Sequence, residues 1–144
     1  PAAVDGALAP DAAGVVPTPV PPPDCGDELG EARALWRSRD RDGALEKLRR
    51  AIACAPGTLD PLLQWGKWML ETPGLSRDRT LASEAADALG AATEANPDHG
   101  QLWFHYTDLL FKAGRRDEAL AARTHCQSIR PANEYVASCR FLPE

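Results

Sequence analysis

From Asp27 onward, apolar residues recur every three or four positions and nowhere with the two-residue alternation of a half-buried strand. Leu29, Ala32, Leu35 and Trp36 open the pattern, and Ala44, Leu45, Leu48, Ile52 and Ala55 continue it. Leu62, Trp65 and Met69 follow, then Leu81, Ala85, Ala88, Leu89 and Ala92. Leu102, Trp103, Tyr106, Leu109 and Leu110 form the next run, and Ala119, Leu120 and Ala122 the last. Each run predicts a helix with one buried face. Pro56-Gly57, Thr72-Pro73-Gly74, Asn96-Pro97 and Arg130-Pro131 fall between the runs, where residues unable to continue a helix belong. The expected fold class is therefore all-α.

Residues 1–24 break this pattern. They are rich in Pro, Ala, Val and Gly, with Pro17, Pro19 and Pro21 to Pro23 closely spaced. Such a segment has too little to bury and favours extended, polyproline-like chain. It reads either as a linker to a removed signal or lipid anchor, or as an arm that lies along a partner. The expected division is an extended Pro-rich arm over 1–24 and a helical domain over 25–144.

Length and charge narrow the function. One domain is natural for 144 residues. The net charge of −5 and acidic pI of about 5.2 argue against nucleic acid as the main partner. No apolar stretch is long enough to span a membrane. The chain opens with Pro1-Ala2-Ala3 and no signal-like segment, as a processed mature end or a truncated piece would. A lost secretion signal or a lipid anchor upstream of residue 1 stays open.

The breakers also mark a repeat. Ala44, Ala85 and Ala119 each lie twelve residues before a proline, Pro56, Pro97 and Pro131. Trp103, Tyr106-Thr107 and Leu110, followed by Lys112-Ala113-Gly114-Arg115-Arg116-Asp117-Glu118-Ala119, fall in an order that resembles the tetratricopeptide repeat (TPR) of about 34 residues. Leu62, Trp65-Gly66 and Met69 repeat that order, then seven extra residues fall around Glu71 to Thr80. The resemblance implies antiparallel helix hairpins stacked in a right-handed solenoid. Its units are about 25–58, 59–99 and 100–133, with a short capping helix over 134–144 in which Val136 and Phe141 pack back. Small residues such as Gly66, Ala85 and Ala119 would let helices approach, and Trp65, Trp103 and Tyr106 would fill the space between them.

The resemblance further implies a concave groove on the first helix of each unit. Carried over position by position, its partner-binding residues are Arg33, Trp36 and Arg37; Leu63, Lys67 and Leu70; and Phe104, Asp108, Phe111 and Lys112, with Tyr135 completing the wall. That surface would be apolar and aromatic with basic spots. Leu63, Lys67, Phe104 and Asp108 stand where some family members carry a Lys/Asn clamp for a C-terminal carboxylate, so an extended apolar or Pro-rich segment is the better match. Val15 to Pro23 of the chain itself is one such segment.

The same repeat map puts Cys25 at the start of the first hairpin and Cys54 near its end, and sets Cys126 and Cys139 either side of the turn at Ala132-Asn133. It implies disulfides Cys25–Cys54 and Cys126–Cys139, each clamping an end of the array; the alternative is four buried thiols. Bonded pairs would place the protein in an oxidising compartment, periplasmic or cell-surface.

Catalytic motifs are sparse. His125 precedes Cys126, yet neighbouring residues on a helix point about 100° apart and do not face one another. Cys126, His125 and Cys139 supply at most three of the four ligands a structural zinc needs. No phosphate-binding loop, serine elbow or His-Glu-x-x-His sequence occurs. The expectation is a non-catalytic protein–protein interaction scaffold without cofactor or metal, an accessory or structural subunit of an exported assembly. A transient periplasmic assembly factor resembling the TPR modules of cytochrome maturation, and a small thiol enzyme using Cys126 and His125, are the alternatives.

Overall fold

The computed structural model describes residues 25–142; the predicted arm over 1–24 lies outside the described residues. Every regular element among them is helical. These are α1 (Glu28–Arg37), α2 (Arg41–Cys54), α3 (Leu59–Glu71), α4 (Pro73–Ser76), α5 (Arg79–Thr93), α6 (Gly100–Lys112), α7 (Arg116–Ser128) and α8 (Glu134–Ser138), with a 3₁₀ turn at Cys139–Phe141.

Polar side chains start five of these helices by satisfying backbone N–H groups that have no partner within the helix. Asp27, Asp40 and Asp78 accept from Gly30, Gly43 and Leu81, at 3.1, 3.0 and 2.9 Å. His99 Nδ1 accepts from the Leu102 N–H at 3.2 Å, and Asn133 accepts from the Val136 N–H at 3.0 Å. Pro73 opens α4 at a position that needs no N–H, so the extra residues near Glu71 to Thr80 wind into one short helix between α3 and α5.

α1 and α6 end in the same way. The Gly114 N–H donates to Phe111 O at 3.0 Å and the Arg115 N–H to Leu110 O at 2.9 Å, with Gly114 at φ 76°. The Arg39 N–H donates to Trp36 O at 3.0 Å and the Asp40 N–H to Leu35 O at 2.9 Å, with Arg39 at φ 70°. This is a left-handed helix stop that favours glycine. Arg39 thus stands at the end of α1 as Gly114 stands at the end of α6.

Side-chain contacts sort the helices into two layers. On one side Trp36 of α1 stacks on Trp68 of α3, Gly66 of α3 abuts His105 of α6, and Phe104 of α6 meets Tyr135 of α8. On the other side Arg49 of α2 pairs with Glu84 of α5 at 2.7 Å, and Arg115, at the entry to α7, pairs with Asp87 of α5 at 2.7 Å. Between the layers lies the core, with Ala44, Leu48, Trp65, Met69, Ala85, Leu89, Leu102, Leu110 and Ala119 buried. Ala44, Ala85 and Ala119 are fully buried within it.

Cys25 and Cys54 are bonded, with Cα atoms 5.5 Å apart, and Cys126 and Cys139 are bonded, with Cα atoms 6.3 Å apart. The first bond joins the start of α1 to the end of α2, so those helices run antiparallel. At the C-terminus one expectation fails. Val136 is buried, but Phe141 is 71% exposed, and Leu142 packs inward in its place. The 3₁₀ turn anchored by buried Cys139 turns Phe141 outward and brings Leu142 onto Phe104 and the disulfide.

Candidate functional site

Arg33 from α1, Asp60, Leu63, Gln64 and Lys67 from α3, and Gln101 from α6 line a depression of about 190 Å³. Three of the expected groove residues, Arg33, Leu63 and Lys67, meet there. Successive turns on one helix face bring Asp60, Leu63, Gln64 and Lys67 together, and the Arg33 Nε donates to Gln64 Oε1 at 2.9 Å across the gap between α1 and α3. That bond holds the Arg33 side chain over the depression and leaves the Gln64 amide NH₂ available as a donor.

The rest of the expected surface is arranged differently. Trp36 stacks flat on Trp68, with centroids 4.2 Å apart and planes within 4°, and Arg41 sits 5.3 Å from its ring, so it joins α1 to α3. Arg37 is exposed at the end of α1, and Leu70 is 42% exposed at the end of α3. Phe104 and Asp108 are only 7% and 3% exposed, so neither offers the open surface expected of it. Phe104 packs against the Cys126–Cys139 bond, Leu142 and Tyr135, while Phe111 lies half-buried under the Arg123 guanidinium at 5.3 Å. The C-terminal segment folds over the face of α6 that carries Phe104. The depression is consequently polar and basic, with Leu63 its apolar contribution.

Beside it lies a buried polar cluster. Lys112 Nζ donates to Asp108 Oδ2 at 2.7 Å, one helical turn apart. Burial raises the Asp108 pKa above the ordinary carboxylate value, and the Lys112 ammonium opposes that shift. His105 is 2% exposed, with both ring nitrogens buried and without a hydrogen-bond partner. Burial, reinforced by the Lys112 and Lys67 charges, lowers its pKa to about 4, so its ring is neutral at physiological pH. Tyr135 on α8 lies 6.0 Å from the same ring.

His125 and Cys126 part company as helical geometry requires. Cys126 is bonded to Cys139, whereas the His125 ring stacks on Trp103 at 3.8 Å and its Nε2 lies 2.6 Å from Pro97 O. Among the described residues, no group of three or more His, Cys, Asp or Glu side chains is placed to hold a metal ion. Gln64 and Gln101 carry no special signal in the sequence. Polar residues on a helix become groove walls only when the neighbouring helix is in place.

No protein-family model matches the chain, and no curated protein matches it in sequence.

Proposed function

We propose that the chain is a TPR-type right-handed solenoid of three helix hairpins, serving as a non-catalytic scaffold that grips an extended segment of a partner protein. The repeat spacing, the shared stop at Arg39 and Gly114 and the two layers of helices support the fold. The observation that carries the function is the depression that Arg33, Leu63, Gln64, Lys67 and Gln101 form across α1, α3 and α6. A side-by-side row of helices offering amides and cations suits a chain laid across them, whose backbone bonds to Gln64 and Gln101.

Charge then chooses the kind of segment. Arg33 and Lys67 face Asp60 there, an excess of one positive charge in a protein of net charge −5. The partner segment is therefore extended and acidic, rather than the apolar or Pro-rich one expected from the family positions alone. The two disulfides support an exported assembly as its setting.

Selection of displayed peptides against the intact chain tests this. Acidic extended peptides are expected, and Arg33→Glu with Lys67→Glu should weaken the selected binders by tenfold or more while the helical circular dichroism is unchanged. Binders that ignore the double substitution would place recognition elsewhere and overturn the assignment.

A further inference from the structure

A second cleft lies on the opposite layer. α5 and α7 stand apart there, and Thr93, Trp103, Tyr106, Glu118, Ala121 and His125 line a space of about 290 Å³ between them. Both ends are tied. Arg115 Nη1 bonds to Asp87 of α5 at 2.7 Å at one end, and His125 bonds to Pro97 O at the other. Trp103 and Tyr106 of α6 stand nearly perpendicular in its lining, with centroids 5.8 Å apart at 75°. Gly90 lets Tyr106 lie against α5, since a Cβ there would sit 3.0 Å from the ring.

Three of the four donor-bearing side chains in this lining, all but Tyr106, already use their donor within the protein. The Thr93 hydroxyl donates to Gly90 O at 2.6 Å, and the Trp103 indole N–H donates to Asn96 O at 3.1 Å. A carbonyl only accepts, so the His125 Nε2 opposite Pro97 O carries the hydrogen, and in the neutral ring Nδ1 is left as an acceptor. Thr93, Trp103 and His125 thus have these donors committed within the protein, and the His125 ring covers one face of Trp103, while lone pairs, the Tyr106 ring and the Glu118 carboxylate remain. Arg115 stands at the rim, but its Nε and Nη2 hold Glu118 at 2.8 Å each while Nη1 holds Asp87. Two carboxylates against one guanidinium leave that rim with an excess negative charge.

We propose that this cleft binds a small protonated amine, an alkylammonium ion seated against Trp103 and Tyr106 and drawn by the Glu118 carboxylate. Its N–H groups donate to the acceptors left by Thr93 and His125, and the aromatic rings attract the cation through their negative faces. The volume, at the small end for ligand pockets, suits a short aliphatic amine.

The test titrates butylammonium and 1,4-diaminobutane into the intact, isotope-labelled chain and follows the Trp103 indole and the Thr93 and Ala121 amides by NMR. Saturable shifts at millimolar amine are expected, with 1-butanol and butyrate binding at least tenfold more weakly. Glu118→Gln should weaken the amine about tenfold. Ala121→Leu, at an exposed position, should fill the cleft and abolish the shifts without altering the fold. Equal binding of the neutral alcohol, shifts that survive Ala121→Leu in a folded variant, or no saturable shift with either amine would overturn the assignment.

Discussion

Gly66 and His105 meet where α3 crosses α6: a Cβ on Gly66 would lie 2.5 Å from His105 Cγ. The missing side chain is what allows a histidine ring between these two helices. Gly66→Ala gains about 1 kcal/mol of helix propensity but forces the ring or a helix to shift, at a cost of about 1–3 kcal/mol. A lower urea midpoint with an unchanged m-value is the expected result. An increase would mean that the crossing is looser than the structure has it.

His105 makes stability sensitive to acid. In the folded chain its pKa is about 4, against an ordinary value of 6.5. Its contribution is complete above the unfolded value, falls as pH drops between the two, and levels off below the folded one. The loss is about 3 kcal/mol. Asp108, raised by burial against the opposing Lys112, acts in the other sense, with its contribution present in acid and lost as pH rises through its folded pKa. Comparison with His105→Leu isolates the histidine. That variant removes two unpartnered buried nitrogens, so it should be more stable at pH 7 and should lose the slope between pH 4 and 6.5 that wild type has. A wild-type slope that persists in the variant would assign the effect to other groups.

The paired helix stops give a prediction of opposite signs. Arg39 adopts a left-handed conformation at a cost of about 1–2 kcal/mol, whereas glycine adopts it freely but loses more entropy on folding. Arg39→Gly should raise stability by up to about 1 kcal/mol, a rise in Tm of a few degrees. Gly114→Ala should lower it by about 1–2 kcal/mol, since the added Cβ also meets the Arg79 guanidinium. Calorimetry on the two variants decides this; equal effects would show that the stops are not equivalent.

Each disulfide ties an end of the helical array. Their sequence separations of 29 and 13 residues predict a loss of about 3–4 kcal/mol for Cys25→Ser/Cys54→Ser and about 3 kcal/mol for Cys126→Ser/Cys139→Ser in the chain-entropy account. Chemical denaturation measures both. The second pair should also expose Phe104, read as increased dye binding, because its ring packs on the bond itself.

The helices were legible because burial of one face imposes a period on the sequence, and because residues unable to continue a helix, such as Pro56-Gly57 and Asn96-Pro97, fall between the periodic runs. The cysteine pairing followed from the repeat map, which sets helix ends side by side. The groove was legible only in part. Arg33, Leu63 and Lys67 reached it, but Phe104, Asp108 and Phe111 share α6 with residues facing two directions, and spacing alone does not say which neighbour covers a face.

What the sequence determined by itself is therefore local: helix positions, their breaks, and the small residues at crossings, all consequences of burial and backbone geometry within a few turns. Only the tertiary structure decided that the C-terminal segment covers Phe104, that His105 is sealed without partners, and that α5 and α7 stand apart over Trp103 and Tyr106. These depend on how helices distant in sequence settle against one another, where shape and desolvation act between side chains whose spacing along the chain carries no trace of their meeting.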